Sequence, residues 1–230
     1  MIASPRVIVA LDYPDKKSAQ TFIQLVTPQL CALKIGKHLF TKLGPEFVRE
    51  VVQKGFHVFL DLKFHDIPNT VFDACTAAAE LGVWMLNVHV SGGVAMMNAA
   101  RRALDQFPKE RRPLLIGVTV LTSLDQEDIS FLGLTDPIEA IVLRMAVTAK
   151  ECGLDGVVCS AQEAALLKKA CGKDFILVTP GIRLASHFAE DQKRIMTPEA
   201  ALLAGADYLV IGRSITATKD PAKELKTIRY

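Results

Sequence analysis

The chain contains no long hydrophobic run. Nothing in it approaches the ~18 consecutive apolar residues of a membrane span, although half of its 230 residues are hydrophobic. Nor does it carry an excess of either charge. Lys and Arg number 27 against 25 Asp and Glu, a formal net charge of +2. That balance leaves no basic stripe for nucleic acid and no polybasic patch for a membrane surface. A local cluster of positive charge that holds a small anion remains compatible with it. Cysteine is sparse: Cys31, Cys75, Cys152, Cys159 and Cys171 are odd in number and form no C-x-x-C pair. A disulfide framework and a zinc ribbon are thereby excluded, and a reducing cytoplasm fits best. The first five residues run into a strand pattern without a signal-peptide core. The histidines His38, His57, His65, His89 and His187 are scattered, with no H-E-x-x-H. Neither a nucleophile-elbow G-x-S-x-G nor a Walker glycine loop occurs. These patterns call for no metal and no cofactor.

What the chain does have is alternation. Short β-branched apolar runs at residues 7–11, 30–34, 57–62, 85–90, 114–120, 156–159, 175–179 and 208–211 read as strands. Helical spacing of apolar residues appears at 18–26, 45–53, 70–81, 95–104, 137–149, 161–170 and 198–203. Strands that are apolar on both faces belong in a parallel sheet covered by crossover helices. Eight such strands in a chain of this length predict an α/β protein with a closed (β/α)8 TIM barrel. No linker or composition shift divides it, so a single domain over residues 1–230 is expected. An open doubly wound sheet fits less well, because the first strand–helix turn, Leu11-Asp12-Tyr13-Pro14, lacks the glycines of a dinucleotide fingerprint.

A barrel places its active site at the C-terminal ends of the strands. Two Lys, two Asp and two Arg fall there: Lys34, Lys63, Asp12, Asp61, Arg183 and Arg213. The densest stretch is Asp61-Leu62-Lys63-Phe64-His65-Asp66. Strand side chains alternate faces, so Asp61 and Lys63 point the same way, into the barrel. Carboxylates on either side favour the ammonium form of the lysine, which makes it a proton donor set in concentrated negative charge. Lys34, read as the end of the second strand, extends the set to Lys–Asp–Lys–Asp. Asp66 alone reads equally well as an N-cap before Pro68. For Asp61 and Lys63 a bland surface reading is weak, since unpaired charge facing a barrel interior is costly. Asp12 suits sugar hydroxyls, or caps a loop before Pro14.

The last strand leads into Gly212-Arg213-Ser214. Glycine lets backbone N–H groups approach an anion, and arginine matches phosphate oxygens in pairs. Barrels often hold phosphate after strands seven and eight. After strand seven, Thr179-Pro180-Gly181-Ile182-Arg183 opens a polar stretch to Thr197 that contains Gln192 and Arg194. A loop that long in a compact domain is more often a lid than padding. His89 reads as a satisfied core histidine, and Ser91-Gly92-Gly93 as an ordinary helix start.

Taken together, these residues resemble the orotidine 5′-monophosphate decarboxylases of de novo pyrimidine synthesis. Asp61-Leu62-Lys63-Phe64-His65-Asp66-Ile67-Pro68-Asn69-Thr70 is similar to that family's D-x-K-x-x-D-I-P-x-T signature. The likeness extends to Ala10-Leu11-Asp12, Leu33-Lys34, Val118-Thr119-Val120-Leu121-Thr122-Ser123, Val178-Thr179-Pro180-Gly181-Ile182-Arg183 and Ile211-Gly212-Arg213. The resemblance implies cofactor-free conversion of orotidine 5′-monophosphate to UMP and carbon dioxide. It implies that Lys63 protonates C6, Asp61 sits by the substrate carboxylate and Lys34 completes the array. It further implies a homodimer in which Asp66 and Thr70 complete the neighbouring site. Asp12 would hold ribose hydroxyls, and Thr122, with Ser123 less firmly, the pyrimidine edge. Gln192, Gly212 and Arg213 would hold phosphate, with Arg183 at the base of the closing loop. The keto-gulonate-phosphate decarboxylases and hexulose-phosphate synthases also carry D-x-K-x-x-D, but use magnesium and an enediolate. Here Ile67-Pro68-Asn69-Thr70 and the long loop with Gln192 favour the pyrimidine enzyme.

Overall fold

The computed structural model describes residues 5–184 and 196–228. Eight strands pair in chain order and close on themselves: β1 (Val7–Ala10), β2 (Ala32–Gly36), β3 (Val58–Phe64), β4 (Met85–His89), β5 (Leu114–Val118), β6 (Gly156–Val158), β7 (Ile176–Thr179) and β8 (Tyr208–Ile211). Every neighbouring pair is parallel, including β1 with β8. The (β/α)8 barrel expected from the alternation is the observed architecture.

Strand parity divides the core in two. Ile8, Ala32, Phe59, Met85, Ile116 and Val178 point inward and fill the barrel's lower half, each at most 1% exposed. The alternate residues, such as Val7, Val9, Leu33, Val58 and Leu60, point outward against the helices. The N-terminal end of the barrel is floored by aromatic rings. Trp84 stacks on His57 at 5.2 Å between centroids and meets Tyr208 edge-on at 5.0 Å. With that half packed, the barrel among the described residues is open at its C-terminal end.

The helices are α1 (Lys16–Leu25), α2 (Lys37–Gln53), α3 (Pro68–Glu80), α4 (Gly93–Asp105), α5 (Gln126–Phe131), α6 (Ile138–Glu151), α7 (Ala164–Cys171), α8 (Pro198–Leu203), α9 (Arg213–Thr216) and α10 (Pro221–Thr227). Three departures from the sequence pattern bear on function. First, β2 runs to Gly36, so Lys34 lies at its centre rather than its end; pairing of Gly36 with Asp61 carries the strand further. Second, α2 begins eight residues earlier than its periodicity suggests, as two helical pieces meeting at Gly44 (φ 69°) ahead of Pro45. Third, α5 breaks the connection between β5 and α6. Its signal is a capping box, in which Asp125 accepts from the Asp128 backbone while the Asp128 side chain accepts from that of Asp125.

No helix among the described residues is long and apolar enough to cross a membrane. All five cysteines are buried free thiols.

Gly156 marks a close approach of strands β6 and β7. A Cβ built there would collide with the Ile176 carbonyl oxygen, a backbone atom that cannot swing aside. Gly156→Ala is therefore expected to lower stability by about 1–3 kcal/mol, read as a lower urea midpoint at unchanged slope. A variant with the wild-type midpoint would show that the barrel wall yields at this point.

Candidate active site

The open end of the barrel holds a cavity of about 400 Å³, within the roughly 300–1,000 Å³ usual for small-molecule sites. Its floor is Phe59 and Val178, and its wall carries Lys34, Asp61 and Lys63. Asp12, Thr122, Ser123, Arg183, Gly212 and Arg213 also line it. Nine residues named from sequence thus meet in one space.

At its centre is the Asp61 carboxylate, 8% exposed. Lys63 Nζ donates to Oδ1 at 2.7 Å, and Lys34 Nζ lies 3.2 Å from Oδ2. Lys34 also faces Asp12 Oδ1 at 3.7 Å. Within one chain the array therefore reads Asp12–Lys34–Asp61–Lys63. Burial alone would push the Asp61 carboxyl up. Lys34 and Lys63, helped by a hydrogen bond from Asn87, outweigh burial and hold it below its ordinary value.

The parity argument correctly turns Asp61 and Lys63 to the same side, but the backbone reaches that arrangement irregularly. Leu60 pairs with Leu86 and Phe64 with Val88, so three β3 residues face the single residue Asn87 of β4. Lys63 takes φ 52°, the only positive φ at a non-glycine position among the described residues. Its N–H donates to Asn87 Oδ1 at 2.8 Å, and Asn87 Nδ2 donates to Asp61 Oδ1 at 2.7 Å. Asn87 was not singled out from sequence. Its signal is a lone amide in the otherwise apolar run Met85-Leu86-Asn87-Val88.

Asp66 and Thr70 are exposed and do not line this cavity. The capping reading of Asp66 does not hold: the N-cap of α3 is Ile67, and Asp66 Oδ1 only accepts from the Ile67 N–H at 2.7 Å. Between Asp66 and Thr70 in the chain, Ile67 is more than half exposed. His89 is partly exposed, with its ring 5.4 Å from that of His65. Burial, together with the nearby His65, Lys37 and Lys63, lowers it to about 4.

Just after β7, Gly181 takes φ 79° and the segment turns back on itself. Arg183 N–H donates to the Met196 carbonyl, and Ile182 bridges Met196, so the two ends of the long loop are tied together. Arg183 is buried, yet its Nε has no hydrogen-bond partner among the described residues. Gln192 and Arg194 lie outside the described residues. No group of three or more His, Cys, Asp or Glu able to hold a metal occurs among the described residues.

The lowered Asp61 value fixes a sign. A depressed carboxyl contributes stability above its unfolded value, near 3.8, and loses it as pH falls through the folded value. Asp61→Asn leaves two ammonium groups side by side, and is expected to cost about 2–3 kcal/mol at pH 7. In urea titrations that gap should narrow below pH 3.8. A gap that is constant with pH would remove Asp61 as the charge that balances the lysines.

Known proteins align with this arrangement along nearly its whole length. The family model described as "Orotidine 5'-phosphate decarboxylase / HUMPS family" matches residues 5–228. A Coxiella burnetii protein named orotidine 5′-phosphate decarboxylase is 58% identical over 224 residues, covering 97% of this chain and 95% of that one. One of the same name from Vibrio campbellii is 58% identical over 223 residues, with 97% and 95% covered. The crystal structure of orotidine 5′-phosphate decarboxylase from Lactobacillus acidophilus superposes with a TM-score of 0.87 at 35% identity, covering 98% of this chain and 97% of that one. With the barrel, the charged wall and the match over residues 5–228 in agreement, the chain belongs to the orotidine 5′-phosphate decarboxylase / HUMPS family.

Proposed function

We propose that this chain decarboxylates orotidine 5′-monophosphate to UMP and carbon dioxide, the step that completes the pyrimidine nucleotide. The observation that carries the reading is the Lys34–Asp61–Lys63 wall, two ammonium groups on one buried carboxylate facing a nucleotide-sized cavity. Loss of carbon dioxide leaves its electron pair on C6 of the ring, and that carbanion must be stabilised. A fixed ammonium where the charge develops does so without reorganisation. Lys63 then transfers its proton to C6 as a general acid. Asp61, held in place by both lysines, sits against the leaving carboxylate.

The remaining residues bind. Asp12, largely exposed at the rim, takes ribose hydroxyls, and Thr122 with Ser123 the pyrimidine edge. Gly212, Arg213, Arg183 and Gln192 take the phosphate; the unpaired Nε of buried Arg183 supports an anion there. Phosphate is remote from the reacting carbon, so its binding energy serves closure and orientation. We place Asp66 and Thr70 in the site of a second copy. They stand exposed on either side of exposed Ile67, away from their own cavity, as an isologous dimer interface requires. Buried free cysteines fit a cytoplasmic enzyme.

The family's description also covers HUMPS proteins, so family membership alone does not choose the reaction. Relatives that share 56–58% of their residues with this chain carry the decarboxylase name. They favour the pyrimidine reaction over magnesium-dependent enediolate chemistry.

Ultraviolet assay of the purified protein should show orotidine 5′-monophosphate consumed at the same rate with and without EDTA. Lys63→Ala should lower kcat by about 10⁴-fold or more while UMP binding stays within a few-fold. An inactive wild type, an EDTA-sensitive rate or an unimpaired variant would each defeat the assignment. A mixing experiment tests the shared site. Lys63→Ala and Asp66→Ala proteins, each inactive alone, should regain about a quarter of wild-type activity when mixed and allowed to exchange subunits. Half the dimers are then mixed, and each has one intact site. No recovery would place Asp66 outside a neighbour's site.

A further inference from the structure

We infer that Asn87 is a positioning residue of this site: its amide holds the Lys63 backbone and the Asp61 carboxylate in one fixed relation. The inference rests on the decarboxylase reading for its kinetic consequence, but its geometry stands without it. Where β3 carries three residues against one of β4, the regular ladder has no carbonyl for the Lys63 N–H. Asn87 supplies an acceptor there through Oδ1 at 2.8 Å, and donates through Nδ2 to Asp61 Oδ1 at 2.7 Å. Lys63 Nζ meets the same oxygen at 2.7 Å, closing a ring of three residues.

The orientation of the amide is forced. A backbone N–H needs an acceptor and a carboxylate needs a donor, so a flipped amide would fail both partners. Asn87 is fully buried, so neither of its partners can turn to solvent instead. Aspartate would accept from Lys63 but repel Asp61, leucine would serve neither partner, and glutamine would overfill the gap by a methylene. A lysine held at φ 52° is strained for an L-residue, and it stays there because Asn87 claims its N–H. Displacing a reacting group by about 1 Å costs about 10²-fold in rate. Asn87 therefore acts through Lys63 and Asp61 without touching the substrate.

The test compares Asn87→Ala and Asn87→Asp with wild type. For both, kcat for orotidine 5′-monophosphate should fall by about 10²-fold, the aspartate more, with KM within about threefold. Loss of a donor to the carboxylate raises Asp61, so the acid limb of kcat should move to higher pH. Carbon-13 NMR of the Asp61 carboxyl should show the same upward shift in the free protein, independently of turnover. A kcat within threefold of wild type, a loss confined to KM, or an unmoved Asp61 titration would overturn the role. A wild type without turnover would defeat the decarboxylase reading instead and leave the NMR comparison to decide on Asn87. If Asn87→Asp does not fold, Asn87→Ser, which keeps a hydroxyl donor and acceptor, should show a loss intermediate between alanine and wild type, and one equal to alanine overturns the role.

Discussion

The structure turns on one carboxylate kept ionised between two ammonium groups inside an apolar barrel. Asp61 would be costly in that wall without Lys34 and Lys63, and each lysine would be costly without Asp61. Removing Asp61 would leave both lysines without their shared partner. The adjacent strands β2 and β3 carry all three, above a lower half of the barrel packed with apolar side chains. The packed layer fixes strand positions, and the strand positions fix where the charges meet.

Most of the architecture was legible because it follows from period alone. Two-residue alternation put Asp61 and Lys63 on one face, and Lys34 lines the barrel mouth as expected of a strand end, although its strand was drawn two residues too early. The misplacement did no harm, since a shift of two preserves the face. What period cannot reveal is irregularity. The widened step at Lys63 violates the ladder, and only the partner strand shows which residue repairs it. Asn87 looks from sequence like any polar residue that a buried strand tolerates. Helix α5 was missed for a related reason: six residues are too few for a helical period to register, and only the Asp125–Asp128 box announces it.

Exposure separates the charged rim into two kinds of group. Lys34 and Asp61 are deeply held, whereas Asp12 and Arg213 are open to solvent. Rigid groups suit chemistry, where position sets the rate. Open groups suit capture, where a ligand must first be met. Arg183 stands between the two: buried, beside the Ile182–Met196 bridge, it still has a nitrogen to offer.

The aromatic floor of Trp84, His57 and Tyr208 governs traffic through the molecule. Among the described residues the lower barrel is filled, and the chamber opens toward the C-terminal ends of the strands. Carbon dioxide, small and uncharged, can slip out past a bound nucleotide, but the nucleotide itself must leave the way it came. If Lys63 is the proton donor, as we propose, it recovers its proton from solvent at that same end, where its side chain is 26% exposed. On that reading, recharging the acid and emptying the chamber draw on the same opening.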